Sequence, residues 1–185
     1  WVGAVAAGVE AALAKLDDPS AYRLVFSAHG LPQAVVDKGD PYPAHVEATV
    51  AAVVAQLHRP DLDWVVSYQS KVGPQTWIVP DTEHVILEAG RERRPLIVVP
   101  IAFVSEHSET LVELDIDYRK QAEAAGVPDY IRLPTVQCDP LFIGGLADLV
   151  EQTLAQADAP DGWATTGEGC ARACACTPAR CALAK

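Results

Sequence analysis

The sequence predicts an α/β fold in which a four-stranded parallel sheet carries helices on both faces and is followed by an irregular, cysteine-rich tail. Strand-like and helix-like segments alternate four times along the chain, which is the pattern of βαβ units. The strand-like segments are almost continuously apolar, as expected for strands that are covered on both faces. Hydrophobic residues make up 50% and charged residues 21% of the 185 positions, so one domain can build a core of adequate size.

The predicted elements follow in a regular order. Residues rich in Ala and Leu at helical spacing predict an opening helix over 2–16. Apolar runs predict strands over 22–28, 63–68, 96–103 and 129–136. The segments between and after them predict helices over 41–57, 81–90, 105–125 and 139–157. Ser105 is a plausible N-cap of the third of these helices, and Pro134 places the fourth strand at an edge of the sheet.

Composition divides the chain into three parts. Residues 1–18 are interpreted as a linker helix from a missing N-terminal domain, because the chain opens at Trp1 and contains no Met. Residues 19–157 carry the α/β pattern, and residues 158–185 form the tail. An active site that is shared with a missing partner is therefore expected to be incomplete in this chain.

Charge and hydropathy exclude two classes of function. The formal net charge is −11 and basic residues are not clustered, which argues against a nucleic-acid partner. The longest apolar run, 95–104, is shorter than the roughly 18 residues that a membrane-spanning helix requires. With no signal-like opening segment either, we expect a cytoplasmic protein.

Polar residues follow three of the predicted strands. His29 follows the first strand, 69–71 (Gln-Ser-Lys) the second, and 106–109 (Glu-His-Ser-Glu) the third. Ligands of parallel α/β sheets bind beyond the carboxyl ends of the strands, so these residues are expected to line one crevice. A lone histidine is a hydrogen-bonded structural residue about as often as it is a functional one. Three polar clusters at one edge favour a functional site.

An acidic row continues from the third cluster. It consists of Glu106, Glu109, Glu113 and Asp117, which fall close to one face of a helix. A solvated surface with acids near the helix N-terminus explains the first two residues but not Asp117. A row of carboxylates that leads to a histidine could instead conduct protons or a hydrated divalent cation.

Four longer blocks of the sequence resemble the ferrochelatase family. They are FSAHGLP (26–32), KGDPYP (38–43), YQSKVGPQTW (68–77) and PIAFVSEHSETLVELDIDYR (100–119). The similarity runs from about residue 24 to residue 150 and covers the second of the two similar α/β domains of such an enzyme. It implies a Rossmann-like, chelatase-type domain that inserts Fe²⁺ into protoporphyrin IX or coproporphyrin III during haem biosynthesis, with release of two protons.

The resemblance also implies roles for individual residues. His29, His107 and Glu109 match catalytic positions, and His29 and Glu109 also match the site of the iron substrate. Glu113 and Asp117 match an acidic path behind that site. The residues implied to line the porphyrin pocket are Ser70, Lys71, Trp77 and Phe103. Histidine titrates near neutral pH and suits the removal of pyrrole protons, while mixed imidazole and carboxylate ligands suit Fe²⁺.

Three further expectations concern neighbouring residues. The helix that carries the acids is widened to a π-type turn in family members, and a π-type turn is expected here. Lys71 and Arg119 are candidates for binding porphyrin carboxylates, although Arg119 is expected to pair with an acid on its own helix. Asp40 and Tyr42 are expected to build a turn before the helix at 41–57.

The tail concentrates four of the five cysteines in the last sixteen residues: Cys170, Cys174, Cys176 and Cys181. Disulfides are disfavoured in an intracellular enzyme, and the spacing lacks the paired C-x2-C units of structural zinc sites. Four thiolates also suit an iron–sulfur cluster. Several ferrochelatases carry a C-terminal 2Fe–2S cluster, so the resemblance implies this cofactor. Cys138 is then expected to be a small packing residue.

Two other functions and several partners stay open at this point. A related chelatase would insert Co²⁺ or Fe²⁺ into sirohydrochlorin, and a non-enzymatic module would only bind an iron–sulfur cluster or a tetrapyrrole. The partners implied by the resemblance are the porphyrin, ferrous iron and the missing N-terminal half. Peripheral contact with the inner membrane and a homodimer are also compatible with it.

Overall fold

A computed structural model of the chain describes residues 1–157. Its helices are α1 (Val2–Leu13), α2 (Gln33–Val36), α3 (Tyr42–Leu57), α4 (Thr82–Glu92), a π-helix (Glu109–Asp117), α5 (Tyr118–Ala125) and α6 (Pro140–Ala157). Its strands are β1 (Arg23–His29), β2 (Asp63–Gln69), β3 (Leu96–Pro100) and β4 (Tyr130–Arg132). Within residues 1–157, the chain divides into two compact units, one of residues 1–142 and one that begins at residue 143. Across residues 1–157, no helix is long and apolar enough to cross a membrane.

The four strands form one parallel sheet in the order β2-β1-β3-β4. The register pairs His29 with Gln69, the last residues of β1 and β2. It also pairs Ser27 with Pro100, the last residue of β3. Three carboxyl ends therefore meet at the centre of one edge, as the α/β prediction requires.

Two separate cores cover the two faces of the sheet. On one face, α1 and α3 pack together over Leu24 and Phe26 of β1. On the other face, α4, the π-helix and α5 pack over Val25 and Val98. Because successive strand residues point to opposite faces, a strand with a core on each side must be continuously apolar. The predicted fold class, with helices on both faces, is confirmed.

Helix α1 belongs to the first of these cores. Val9 and Leu13 are fully buried, and Arg59, which follows α3, forms an ion pair with Glu10 at 3.1 Å. The helix ends at Leu13 rather than at the predicted residue 16. The boundary drawn at residue 18 stays a prediction, but the residues before it pack against the α/β core.

The helix predicted over 105–125 begins later and is wider than an α-helix. Its first nine residues, Glu109–Asp117, form the π-helix, so the π-type turn implied by the resemblance is confirmed. Ser105 is not its N-cap, because the cap position is Ser108; Glu106, in the loop before the helix, accepts from Arg132. Strand β3 ends at Pro100 instead of 103, where the chain turns and the Phe103 N–H donates to the Pro100 oxygen. The short strand β4 lies at an edge, as predicted from Pro134.

Gly90 allows α4 and α5 to pack closely. A methyl group at this position would lie 2.4 Å from the carbonyl oxygen and 2.7 Å from the Cβ of Ala125. Gly90→Ala is therefore expected to lower the free energy of unfolding by about 3 kcal/mol, measured by denaturant titration. Gly8→Ala in α1 is the control, since a methyl there meets nothing within 4 Å and is expected to stabilise the protein by up to about 1 kcal/mol. Equal effects of the two substitutions would contradict this account of the α4–α5 contact.

Candidate active site

His29 and Glu109 face each other at the carboxyl edge of the sheet. His29 is the last residue of β1, and Glu109 is the first residue of the π-helix. Nε2 of His29 lies 3.7 Å from Oε1 of Glu109, and the two side chains are 40% and 37% exposed. Residues from two different elements thus present an imidazole and a carboxylate to the same open space.

The hydrogen bonds of His29 determine which nitrogen of the neutral ring is basic. Nδ1 lies 2.7 Å from the carbonyl oxygen of Gly30, and a carbonyl can only accept, so Nδ1 carries the proton. Nε2 therefore has the free lone pair that faces Glu109. The His29 carbonyl accepts from the Tyr42 hydroxyl at 3.0 Å. Burial raises the pKa of Tyr42 to about 12, so this hydroxyl stays a donor at neutral pH.

Gly30 allows the chain to pass close to β2 directly after the histidine. Its N–H donates to the main-chain carbonyl oxygen of Gln69 at 2.8 Å. A Cβ on Gly30 would lie 2.9 Å from that oxygen and 3.3 Å from the Trp77 ring. Trp77 thus lies against the backbone beside His29, which is compatible with its predicted place in a pocket wall. Its buried indole N–H has no hydrogen-bond partner within residues 1–157.

His107 has a different local environment from His29. Its Nδ1 accepts from the backbone N–H of Glu109 at 3.1 Å, so the proton of the neutral ring is on Nε2. The ring is exposed and lies 5.1 Å from the Phe103 ring, between centroids. The backbone N–H of His107 donates to Thr110 Oγ1 at 3.0 Å. The His107 ring therefore accepts from the N–H of the first residue of the π-helix and lies beside Phe103.

Glu113 lies one turn further along the π-helix, and donors surround its carboxylate. Oε1 accepts from the Ser70 N–H at 2.8 Å and from the Tyr118 hydroxyl at 2.8 Å. Oε2 accepts from the Ser70 hydroxyl at 2.5 Å and from Gln69 Nε2 at 3.4 Å. Burial, followed by the charge of Glu113, raises the pKa of Tyr118 far above its ordinary value. Its hydroxyl therefore remains protonated and keeps donating. Asp117 is exposed at the end of the π-helix.

A chain of buried hydroxyls lies behind Gln69. Ser67 and Ser27, from β2 and β1, lie 2.8 and 3.1 Å from the Thr82 hydroxyl. The Ser27 hydroxyl donates to Gln69 Oε1 at 2.7 Å. All four side chains are completely buried. Sequence reasoning missed the hydroxyls, although two serines at paired positions of apolar strands are a usable signal of a buried polar network.

Glu106 lies apart from the other acids of the predicted row. Its carboxylate accepts from Arg132 at 2.6 Å, from Thr110 Oγ1 at 2.6 Å and from the Thr135 N–H at 3.0 Å. Burial opposes ionisation, but these donors prevail and lower the pKa of Glu106 below its ordinary value. The row thus contains Glu109, Glu113 and Asp117, while Glu106 binds the loop to the end of β4.

The remaining expectations have mixed outcomes. Lys71 forms an ion pair with Asp81 at 2.8 Å. Arg119 pairs with Asp115 of the preceding turn at 2.7 Å, which confirms the expected partner on its own helix. The predicted turn is also confirmed, since Asp40 accepts from the Tyr42 N–H at 2.9 Å. The expectation that Cys138 is a packing residue is wrong: it lies in an exposed turn after β4.

Two cavities lie at opposite ends of the strands. One of about 480 Å³ lies at the amino ends of β1 and β2, where Arg23 is paired with Asp63 at 2.8 Å and with Glu92 at 3.1 Å. Its charges are thus already neutralised. A second cavity of about 270 Å³, lined by Tyr42 and Ile101, lies at the carboxyl edge. His29 and Glu109 line neither cavity, so the candidate site rests on the His29–Glu109 pair itself.

Metal ligands are few in the part of the chain that the structure describes. Within residues 1–157, no group of three or more His, Cys, Asp or Glu side chains is arranged to hold a metal ion. His29 and Glu109 are a pair, which leaves most of a cation's coordination sphere for water or a substrate. The predicted cluster ligands lie outside the described residues: Cys170, Cys174, Cys176 and Cys181.

Comparison with known proteins identifies the family. The family model described as Ferrochelatase matches residues 1–154. The ferrochelatase of Phenylobacterium zucineum is 55% identical over 135 residues, which cover 72% of this chain and 39% of that protein. The ferrochelatase of Pelagibacter ubique is 48% identical over 136 residues (74% and 40%), and that of a Synechococcus strain is 47% identical over 156 residues (83% and 45%). The chain thus spans about two fifths of the length of these relatives. It belongs to the ferrochelatase family.

Proposed function

We propose that this chain supplies the metal-binding side of a ferrochelatase active site, which inserts Fe²⁺ into a porphyrin for haem biosynthesis. The observation that carries the proposal is the free lone pair of His29 Nε2, which faces the Glu109 carboxylate across 3.7 Å. An exposed imidazole beside an exposed carboxylate can accept protons and can also bind a divalent cation. Family membership supports this choice of reaction.

The chemistry requires proton acceptors as well as metal ligands. The free porphyrin carries two pyrrole N–H groups, and insertion of Fe²⁺ releases both protons. In the proposal, iron first passes from His29 and Glu109 to the porphyrin nitrogens; the vacated His29 Nε2 then takes a pyrrole proton, and Glu109 stabilises the imidazolium that forms. Glu109 accepts or passes on the second proton. His107, which presents an N–H at Nε2 in its neutral form, orients the first turn of the π-helix and donates toward the pocket.

The approach of iron involves the acids of the π-helix. Glu113 and Asp117 follow Glu109 at intervals of four residues, so their negative charges lie behind the His29–Glu109 pair. Charges arranged in this way raise the local concentration of a divalent cation. We propose that they form an acidic path for hydrated Fe²⁺, with His29 and Glu109 as the ligands at its end.

The porphyrin pocket is proposed to include Ser70, Lys71, Trp77 and Phe103. Trp77 and Phe103 lie beside His29 and His107 respectively, which supports an apolar wall around the reacting nitrogens. Lys71 would reach a porphyrin carboxylate only by leaving Asp81. Protoporphyrin IX and coproporphyrin III are both substrates compatible with this half of the pocket.

Partners of the whole protein form part of the proposal. We propose that the remaining part of a family-length polypeptide, the N-terminal half implied by the sequence, completes the porphyrin pocket. A cytoplasmic location, peripheral contact with the inner membrane and a homodimer are the corresponding expectations. Gel filtration and membrane flotation of the family-length polypeptide test the last two.

The four tail cysteines are proposed to bind a 2Fe–2S cluster. The donor set is appropriate, because four thiolates complete the coordination of the two irons, and Cys138 lies elsewhere in an exposed turn. Protein purified without oxygen is expected to absorb in the visible range and to release acid-labile sulfide. Replacement of Cys174 and Cys176 by serine should abolish both signals, whereas Cys138→Ser should leave them unchanged. Absence of both signals from the wild-type protein would contradict the proposal.

A panel of metals and tetrapyrroles tests the proposed reaction. The family-length polypeptide is incubated with Fe²⁺ or Co²⁺ and with protoporphyrin IX, coproporphyrin III or sirohydrochlorin, and the loss of free tetrapyrrole is followed by fluorescence. The proposal expects turnover with Fe²⁺ and at least one of the two porphyrins. Turnover with sirohydrochlorin alone would instead identify the related chelatase, and binding of all tetrapyrroles without turnover would identify a binding module.

A further inference from the structure

Glu109 and Glu113 are both on the π-helix, but their carboxylates have opposite environments. Within residues 1–157, no hydrogen-bond donor is in range of the Glu109 carboxylate, which has only His29 Nε2 at 3.7 Å. Glu113 accepts from four donors, two on each oxygen. A carboxylate has about four lone-pair sites, so those of Glu113 are occupied and those of Glu109 are available.

The donors to Glu113 are themselves held in place. Gln69 is completely buried and Tyr118 is 4% exposed. The buried hydroxyls orient the Gln69 amide, because Ser27 donates to its Oε1. Its Nε2 must then point to the π-helix, where it donates to the Glu109 carbonyl at 3.2 Å and reaches Glu113.

Ser70 contributes the other two donors from an unusual backbone conformation. Its φ is +63°, in the left-handed region that residues other than glycine adopt rarely. In this conformation its N–H and its hydroxyl both donate to Glu113. Three donors at the end of β2, one on Gln69 and two on Ser70, thus bind the same carboxylate.

We propose that Gln69 and Ser70 are positioning residues that hold Glu113 as a fixed negative charge, so that Glu113 acts on the incoming cation through water and not as a direct ligand. This inference rests on the proposed function, in which Fe²⁺ passes the acids before it reaches His29 and Glu109. The acidic path then contains one carboxylate that is free to bind the cation directly, that of Glu109, and one whose oxygens already accept hydrogen bonds, that of Glu113. The same contacts fix the first turn of the π-helix through the Glu109 carbonyl.

Cobalt(II) is a suitable probe, because its visible absorption bands depend on the atoms bound directly to it. The family-length polypeptide, with its tail cysteines replaced by serine so that neither a cluster nor cobalt–thiolate absorption contributes, is titrated with Co²⁺ in the absence of porphyrin. Glu109→Gln is expected to change the positions of the bands. Glu113→Gln is expected to keep the band positions and to raise the midpoint of the titration about three- to tenfold, through loss of a nearby charge.

Ser70→Ala tests the positioning role. It keeps the charge of Glu113 but removes one of its donors, and it is expected to raise the midpoint about threefold with unchanged bands. Ser70→Gly removes the same hydroxyl, and glycine adopts a positive φ without strain. It should raise the midpoint by the same factor, so that backbone strain in the alanine variant cannot account for the result. Ser20→Ala is the control, because Ser20 is exposed, bonds Asp18 and belongs to neither the buried hydroxyls nor the contacts of Glu113; its midpoint should equal that of the wild type.

The outcomes that overturn the inference differ from those that overturn the proposed function. A change of band positions in Glu113→Gln would show that Glu113 is a direct ligand. A wild-type midpoint in both Ser70 variants, together with a raised midpoint in Glu113→Gln, would exclude positioning by Ser70. If His29→Ala and Glu109→Gln both leave the bands unchanged, the proposed metal site itself is wrong.

Discussion

Replacement of His29 by alanine is expected to lower kcat for Fe²⁺ insertion by about 10³-fold, because it removes the one basic nitrogen of residues 1–157 that faces Glu109. The measurement is the initial rate of haem formation by the family-length polypeptide under anaerobic conditions. Folding should be unaffected, since the side chain is 40% exposed and its one hydrogen bond, from Nδ1, is to the adjacent residue.

Two comparisons make this prediction specific. Imidazole added to the solution should restore part of the lost rate in His29→Ala, because it can occupy the vacated space and accept the pyrrole proton. His84→Ala removes an exposed histidine whose ring contacts Glu88 on α4, and it should keep the wild-type rate. A His29→Ala enzyme with more than about half of the wild-type kcat would exclude His29 as the base.

Replacement of Glu106 by glutamine is expected to destabilise the protein by about 3 kcal/mol at pH 7, because it leaves a buried cation without its counter-charge. The Arg132 side chain is 9% exposed and that of Glu106 is 18% exposed. Arg132 keeps a second partner, Asp115, at 3.3 Å, which limits the loss. Denaturant titration monitored by tryptophan fluorescence measures the difference.

Acidification should reduce this difference. The pKa of Glu106 is lower in the folded protein than in the unfolded chain, so its ionisation stabilises the fold fully above the ordinary carboxyl pKa, near 4.3. That contribution is lost as the pH falls through the lowered value. The wild type and Glu106→Gln should therefore converge in stability below about pH 4. Glu88→Gln, an exposed acid on α4, is the control and should cost less than about 1 kcal/mol; a similar loss in both variants would contradict a special role for the Glu106–Arg132 pair.

The parts of the fold that local patterns control were predictable. Residues 24–26 of β1 and 96–99 of β3 are apolar because they face two cores, and the carboxyl ends of the strands bring His29 beside the 69–71 and 106–109 segments. The start of the π-helix was not predictable from Ser105. The cap position is Ser108, and Glu106, in the loop before it, pairs with Arg132, 26 residues away in the sequence. A capping rule that considers only adjacent residues cannot include such a partner.

The same limit applies to the site. The sequence groups Glu109, Glu113 and Asp117, which recur every four residues, but it also includes Glu106, which the structure places with Arg132. It does not indicate that Glu113 is enclosed by donors from a segment 43 residues earlier, where Ser70 adopts a left-handed conformation. Nor does it indicate the opposite tautomers of His29 and His107, because each depends on a single backbone contact.

Identification of the atoms bound to iron tests the central claim most directly. X-ray absorption of Fe²⁺ bound to the family-length polypeptide, without porphyrin and without oxygen, counts imidazole ligands; the tail cysteines are replaced by serine so that iron in a cluster does not contribute. We predict one imidazole in the wild type and in His107→Ala, and none in His29→Ala. An imidazole that persists in His29→Ala, or that disappears in His107→Ala alone, would contradict the assignment of His29 and Glu109 as the iron site.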